Sequence, residues 1–331
     1  MNLARHARFA IAVGSAITIA VGCAIVLAAA WFPLAASAGP LRDAFMQRRA
    51  QQGDGGLLGE EGDRSPAQLP AGIRIVRDVA YGSAARQRFD VYAPPQARNA
   101  PVIFMVHGGA WMFGDKSAKN VIENKVSRWV PRGFVFISID YRMLPEAQVS
   151  VQAQDVAHAL AYAQQHAAEW GGDPRRFVLM GHSAGAHLVS LVSASPSIAT
   201  AQGVQPWLGT VALDSAAYDV AKIMQGQHYH FYDRVFGSDP SVWAADSPTT
   251  QLSGRIPPFL AVCSSKRQDS CPAAQQFVAK AMSFGTHAEE LQQDKTHGEI
   301  NKDLGADPTY TAQVEAFMAH LDPGIAQLLG R

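Results

Sequence analysis

Residues 177–188 read FVLMGHSAGAHL. The run FVLM has the composition of a strand buried on both faces, and the segment from Ala184 onward is helix-like. Between them, residues 181–185 form a G-x-S-x-G. A tight turn from strand to helix exposes the serine oxygen, and the flanking glycines leave room for that turn. The stretch therefore predicts a strand–turn–helix unit with Ser183 as a nucleophile.

The chain repeats this alternation from residue 71 onward. Apolar runs predict eight strands, over residues 72–81, 86–92, 101–106, 134–139, 177–180, 210–213, 259–262 and 288–291. Helix-like segments cover residues 149–170, 184–194, 272–284 and 308–321. This alternation is typical of a doubly wound α/β fold with a mostly parallel sheet and helices on both faces. The section 214–256 interrupts this alternation of strands and helices, and we expect it to form a lid-like insertion.

A second glycine-rich turn, HGGAW, follows the strand predicted at 101–106 and ends at Trp111. Two adjacent glycines let the backbone approach a ligand and direct N–H groups at it, as a developing oxyanion requires. We expect such donors from Gly108 or Gly109, joined by Ala184. Trp111 and, in the insertion, Tyr218 are candidates for substrate contact, although aromatic packing without a substrate role is equally consistent with the sequence.

Together these motifs resemble the α/β-hydrolase superfamily. HGGAW stands about 75 residues before GHSAGAH, DYR follows the next strand, and GGDP precedes the serine strand. Within the superfamily the chain is most similar to carboxylesterases, hormone-sensitive-lipase-like esterases and kynurenine formamidases. The resemblance covers residues 71–331, with one departure: the loop reads HGGA where the hormone-sensitive-lipase group usually reads HGGG. It implies hydrolysis of carboxylic esters through an acyl-enzyme, with no cofactor and no metal.

The resemblance also implies a chain order of serine, acid and histidine. Asp269 stands a few residues past the strand at 259–262, and His297 lies in a loop before the last helix. His297 would take the proton from Ser183, and Asp269 would orient the imidazole and stabilise its charged form. Asp214 is the alternative acid, but it ends the strand directly after the serine strand, one strand earlier than is usual in this superfamily.

Two other functions stay open. GHSAGAHL suggests an amidase of the kynurenine formamidase type, and a hydrolase fold used only for binding is less compatible with the presence of both Ser183 and His297. Charge gives no sign of a nucleic-acid partner, because Lys+Arg and Asp+Glu both number 28. We expect a small-molecule ester as substrate, and the sequence does not indicate the oligomeric state.

The N-terminal sequence predicts export. Residues 9–41 contain no charged side chain and are long enough to cross a bilayer, and residues 36–38 form an A-x-A cleavage site. Residues 1–38 therefore form either a signal peptide or a membrane anchor, so that association with a membrane through residues 9–38 is open. We expect residues 39–70 to form a flexible linker and 71–331 the catalytic domain, in a periplasmic or secreted protein.

Two of the three cysteines, Cys263 and Cys271, bracket Asp269. In an oxidising compartment they would form a disulfide that closes a short loop. The alternative is a small buried thiol at Cys263 and a free thiol at the start of a helix at Cys271.

Overall fold

The computed structural model describes residues 65–330. Its sheet has eight strands in the order β1-β2-β4-β3-β5-β6-β7-β8. β1 and β2 are antiparallel to each other, β2 is antiparallel to β4, and the remaining neighbours are parallel. This arrangement confirms the predicted α/β-hydrolase fold. The strands are β1 (Arg74–Ala80), β2 (Arg88–Ala93), β3 (Ala100–Val106), β4 (Val135–Ile139), β5 (Gly172–His182), β6 (Gly209–Leu213), β7 (Phe259–Ser264) and β8 (Ala288–Gln293).

Helices cover both faces of the sheet. The long ones are α1 (Lys119–Trp129), α2 (Val149–His166), α3 (Ala184–Ala194), α9 (Ser270–Ser283) and α11 (Pro308–Leu321). The short ones are α4 (Pro196–Ala201), α5 (Val220–Gln225), α6 (Phe231–Phe236), α7 (Pro240–Ala245), α8 (Pro248–Gln251), α10 (His297–Lys302) and α12 (Pro323–Leu328). The section 214–256 contains α5 to α8, so it is a run of short helices.

The central strand β3 is apolar at every position because each face of the sheet has its own core. On β3, Phe104 and Val106 join the core that contains α2 and α3, whereas Ile103 and Met105 join the core that contains α1 and α11. All seven residues of β3 are buried. Successive side chains of a strand point to opposite faces, so a strand between two helical layers is apolar at nearly every position.

Helix α1 was not predicted from the sequence. Its buried face includes Val126 and Trp129, but Lys125 is also fully buried on it and interrupts the apolar pattern. Nζ of Lys125 donates to the backbone oxygens of Asn120 and Asn301, at 3.2 and 2.6 Å, and burial lowers the pKa of this side chain to about 7. A lysine that binds carbonyl groups inside the protein looks like a surface residue in the sequence.

The predicted N-terminal segment 1–38 lies outside the described residues, as does the linker up to residue 64. From Ala67 to Ile73 the chain already packs on the core, through Ala67, Leu69 and Ile73. Within the range 65–330, no helix combines the length and the apolar composition that crossing a bilayer requires.

Gly181→Ala tests the packing of the turn that joins β5 to α3. A Cβ at this position would lie 2.4 Å from the carbonyl oxygen of Gly185. Because that oxygen belongs to the backbone, we expect a loss of about 1–3 kcal/mol of unfolding free energy. Gly254→Ala is the matched control, since its Cβ would meet nothing within 4 Å. Urea unfolding of both variants measures the difference, and equal stabilities would contradict this account of the turn.

Candidate active site

Ser183 occupies the turn between β5 and α3 in a strained conformation, with φ 56° and ψ −118°. Its N–H donates to the oxygen of Leu213 at 2.9 Å, and its own carbonyl accepts from the N–H of His187 at 3.0 Å. Gly185 is needed next to it, because a Cβ there would lie 2.2 Å from the oxygen of Val106. Neighbouring strands therefore hold Ser183 in a conformation that costs about 1–3 kcal/mol elsewhere.

His297 is the first residue of α10. Thr296 and Glu299 form a capping box that fixes this helix start, and the carbonyl oxygen of His297 accepts from His182 Nε2 at 3.0 Å. Nδ1 of His297 lies 2.6 Å from Asp214 Oδ2 and so carries the proton of that hydrogen bond. Nε2 of His297 is buried and makes no hydrogen bond within residues 65–330. The imidazole ring lines a small cavity that Ser183 also lines.

The carboxylate that binds His297 is that of Asp214. The predicted contact between Asp269 and His297 is therefore wrong. Asp214 follows β6 directly, with φ 56°, and its N–H donates to the oxygen of Val262 on β7. This backbone pairing brings the side chain to the carboxyl end of the sheet beside His297. Asp269 lies at the start of α9 with a side chain 40% exposed, and its two oxygens accept from Nε and Nη2 of Arg267 at 3.1 and 3.0 Å.

Asp214 is fully buried and accepts hydrogen bonds at both oxygens. Oδ1 accepts from the N–H of Ser264 at 2.8 Å and from the hydroxyl of Ser270. Oδ2 accepts from His297 Nδ1 and from Nη1 of Arg267, the latter at 2.9 Å. A buried charge needs this degree of hydrogen bonding to be tolerated.

The electrostatics suit a charged acid and a neutral base. Burial alone would raise the pKa of Asp214, but the hydrogen bond from His297 and the charge of Arg267 outweigh it and hold the pKa well below the ordinary value. Burial lowers the pKa of His297, and the neighbouring ring of His182 lowers it further, against the opposing effect of Asp214. His297 is therefore unprotonated at Nε2 in neutral solution and can accept a proton there.

The glycine-rich loop has an unusual backbone. Gly109, Ala110 and Trp111 have φ values of 113°, 49° and 60° in succession. The oxygen of Gly109 accepts from the N–H groups of Met112 and Phe113. Of these residues Ala110 and Trp111 line the cavity that contains Ser183, as does Ala184, the first residue of α3. The expected donors at Gly108 and Gly109 lie in the same loop, directly before the two lining residues.

The two predicted substrate contacts are both deeply buried. Trp111 is 3% exposed and donates from its indole nitrogen to His187 Nδ1 at 3.1 Å. Tyr218 is 1% exposed and stacks on Phe277 at 4.9 Å, although it also forms part of the wall of a large cleft. Trp111 thus lies beside the serine, whereas Tyr218 is mainly a core residue.

Two cavities meet at His297. The smaller has a volume of about 20 Å³ and contains Ser183, Trp111 and Phe231 in its wall. The larger, of about 1090 Å³, is lined by His297 and by residues of the insertion and of the loop after β7. His297, Tyr232 and Arg267 belong to the walls of both.

Cys263 and Cys271 form a disulfide, which is the first of the two alternatives that the sequence left open. Cys263 lies on β7 and Cys271 near the start of α9, so the bond closes the loop that carries Arg267 and Asp269. Within residues 65–330, these two cysteines and Glu290 are the group close enough together to ligate a metal ion, but the disulfide occupies both sulfur atoms.

Sequence reasoning missed Arg267 and Ser270 as partners of the acid. Neither belongs to a motif, and their contacts with Asp214 span 53 and 56 residues of sequence. For Asp214 a signal did exist: it is a carboxylate directly after a strand that the sequence marks as buried, on the edge of the sheet where the serine also lies.

The chain is similar in sequence to known esterases. The BD-FAE family model matches residues 89–281. Esterase LipQ of Mycobacterium tuberculosis is 30% identical over 214 residues, which are 60% of this chain and 50% of that protein. A probable isoprenylcysteine alpha-carbonyl methylesterase of Arabidopsis thaliana, ICMEL1, is 36% identical over 117 residues, 35% of this chain and 24% of that protein. The chain thus spans half or less of the length of these two relatives.

The fold also matches solved structures. Esterase B from Lactobacillus Rhamnosis superposes with a TM-score of 0.67 at 19% sequence identity, covering 87% of this chain and 96% of that one. A truncated carbohydrate esterase from gut microbiota gives a TM-score of 0.66 at 18% identity, covering 78% and 99%. At these identities the likeness concerns the fold.

Proposed function

The chain belongs to the BD-FAE family of α/β-hydrolase carboxylesterases, and from this premise we propose that it is a serine esterase that uses Ser183, His297 and Asp214. One observation carries the assignment. The imidazole of His297 is held by Asp214 at 2.6 Å through Nδ1, while its buried Nε2 makes no hydrogen bond in the described chain and its ring shares a cavity with the strained Ser183.

In the proposed reaction, Nε2 of His297 takes the proton from the hydroxyl of Ser183 as the oxygen attacks the ester carbonyl carbon. The tetrahedral intermediate collapses when the charged imidazole gives that proton to the departing alcohol, which breaks the ester bond and leaves an acyl-enzyme. Water then repeats the sequence and releases the carboxylic acid. Asp214 stabilises the positive charge that His297 carries between the two transfers.

The developing oxyanion needs N–H donors that are already in place. Ala184 is at the N-terminus of α3, where N–H groups have no partner inside the helix. The glycine-rich loop faces it across the cavity, where Ala110 shares the wall with Ala184. We assign the oxyanion site to Ala184 and to N–H groups of the loop from Gly108 to Ala110.

Substitution of Ser183 tests the nucleophile, and substitution of each of the two aspartates tests the assignment of the acid. Ser183→Ala should lower kcat/KM for p-nitrophenyl acetate by on the order of 10⁴-fold or more. Asp214→Asn should cost roughly 10³- to 10⁴-fold, because Nδ1 of His297 loses its charged partner. Asp269→Asn should cost less than about tenfold, because its carboxylate is part-exposed and bound to Arg267.

The thermal midpoint of each variant serves as the control for folding. A variant that unfolds at the temperature of the wild type reports on catalysis alone. A larger loss for Asp269→Asn than for Asp214→Asn would contradict the assignment.

We also propose that the protein is exported, with residues 1–38 as signal peptide or membrane anchor. The uncharged run at 9–41 supports this, and so does the disulfide between Cys263 and Cys271, because such bonds persist in oxidising compartments.

Cell fractionation tests export. The full chain should be recovered outside the cytoplasm or in the membrane fraction, with Cys263 and Cys271 unreactive to a thiol reagent after denaturation without reductant. The chain lacking residues 1–38 should remain in the cytoplasm with both thiols reactive. A cytoplasmic marker protein controls for lysis, and recovery of the full chain in the marker's fraction would contradict the proposal.

A further inference from the structure

His187 joins three parts of the molecule beside the reacting groups. It lies on α3, one turn after Ser183, and its side chain is completely buried. Nδ1 accepts a hydrogen bond from the indole nitrogen of Trp111 at 3.1 Å. Nε2 donates to the backbone oxygen of Asp246 at 2.7 Å. One imidazole ring thus connects the helix that follows the nucleophile with the glycine-rich loop and with the insertion 214–256.

The two partners select one protonation state of His187. An indole N–H can only donate, so Nδ1 must be unprotonated, and a carbonyl oxygen can only accept, so Nε2 must carry the proton. Burial lowers the pKa of His187 to about 4, so the ring is neutral in neutral solution. His187 is therefore a fixed acceptor for the indole of Trp111.

Trp111 needs such a contact because its backbone is strained. Its φ of 60° follows a φ of 49° at Ala110, and residues with a Cβ stay in this region only where their surroundings hold them. The backbone oxygen of Trp111 accepts from the N–H of Leu144 and from Nε2 of Gln152, each at 3.0 Å. The hydrogen bond to His187 fixes the other end of the residue. Trp111 is thus anchored both at its backbone and at its indole ring.

The insertion supports the same contact from the far side. The N–H of Asp246 donates to the oxygen of Val242 at 2.9 Å, which ties the carbonyl that binds His187 to α7. Phe236 of α6 packs edge-on against both rings, with centres 5.1 Å from Trp111 and 6.0 Å from His187. The pair formed by Trp111 and His187 is therefore enclosed between α3 and the insertion.

Building on the proposed function, we propose that His187 is a positioning residue for the oxyanion site. The N–H groups that we assign to this site include those of residues 108–110, which directly precede Trp111 in the chain. Their directions follow from the backbone angles of the loop, and these angles depend on where Trp111 is held. Oxyanion donors act at short range and in a set direction, so a small displacement weakens them. His187 acts on the reaction through Trp111 and the loop that Trp111 ends.

Two substitutions of His187 separate its two hydrogen bonds. The amide of asparagine can occupy the place of Nδ1, so His187→Asn keeps an acceptor for Trp111. The amide of glutamine reaches the place of Nε2, so His187→Gln keeps a donor for Asp246 and removes the acceptor. With p-nitrophenyl acetate, His187→Gln should lower kcat by roughly 10- to 100-fold, less than the deletion of a donor costs. His187→Asn should lower kcat by less than about fivefold.

The Michaelis constant gives a first check on this role. Acylation and deacylation both pass through an oxyanion, so KM should stay within about twofold of the wild-type value in His187→Gln. Trp111→Phe removes the N–H and keeps an aromatic ring against Phe236, and it should lower kcat by a similar factor. The double variant should lose no more than about threefold beyond either single variant, because both changes break the same hydrogen bond.

A trifluoromethyl ketone with a short alkyl chain measures the oxyanion site directly. Oγ of Ser183 adds to its carbonyl carbon, the hydroxyl proton passes to Nε2 of His297, and the former carbonyl oxygen becomes an oxyanion. The inhibition constant should rise in His187→Gln by about the factor by which kcat/KM falls. A partial loss of folded enzyme would lower kcat and leave the inhibition constant unchanged.

Ser193→Ala is the matched control. Ser193 is also a buried polar residue of α3, and its hydroxyl donates to the oxygen of Val189 at 2.7 Å and lies 2.9 Å from that of Thr210. The loss of these hydrogen bonds should lower the thermal midpoint. Because neither bond reaches the glycine-rich loop, kcat and the inhibition constant should keep their wild-type values.

The outcomes separate this inference from the proposed function. If the wild-type enzyme hydrolyses no ester, the esterase proposal itself is overturned. Wild-type kcat in His187→Gln, equal losses in the two His187 variants, or an unchanged inhibition constant would overturn the role of His187 and leave the esterase proposal standing. If neither His187 variant folds, Trp111→Phe decides. A lower kcat with a matching rise in the inhibition constant supports the role, and wild-type values overturn it.

Discussion

A carboxylate buried away from water needs hydrogen-bond donors to stabilise its charge. For Asp214 these donors come from parts of the chain that are distant in sequence. The donors come from the end of β7 at Ser264, from the loop at Arg267, from the start of α9 at Ser270, and from α10 at His297. Because a buried charge without partners costs several kcal/mol, these segments are stable in one arrangement around β6. The same contacts that stabilise the buried charge of Asp214 thus also hold Asp214 against His297, as the proposed chemistry requires.

Most of the fold could be predicted because its signals are local. A strand between two helical layers is mostly apolar, which makes it recognisable in the sequence. All eight predicted strands are present in the sheet. The errors also have local causes. Helix α1 was not recognised because of Lys125, whose side-chain nitrogen donates to carbonyl oxygens inside the protein. β5 extends further toward its N-terminus than the apolar run FVLM, because backbone pairing with β3 begins at Gly172.

The candidate site likewise contains residues that the sequence could predict and residues that it could not. Ser183 and His297 could be found because a strand–turn–helix pattern and a place in the chain order mark them. The acid could not be found from the sequence. Both Asp214 and Asp269 lie between the serine and the histidine in the chain, and only three-dimensional contacts distinguish them. Arg267 decides the outcome by binding the carboxylate of Asp269 at two atoms while leaving Asp214 in contact with His297.

The separation between Asp214 and Asp269 bears on how relatives of this protein are aligned. Fifty-five positions apart in sequence, the two carboxylates share one guanidinium group. A residue-by-residue alignment guided by chain order assigns the acid role to the column of Asp269, whereas the contact with the imidazole belongs to the column of Asp214. Assigning the acid in this chain therefore requires its coordinates, although chain order is enough to propose the serine and the histidine.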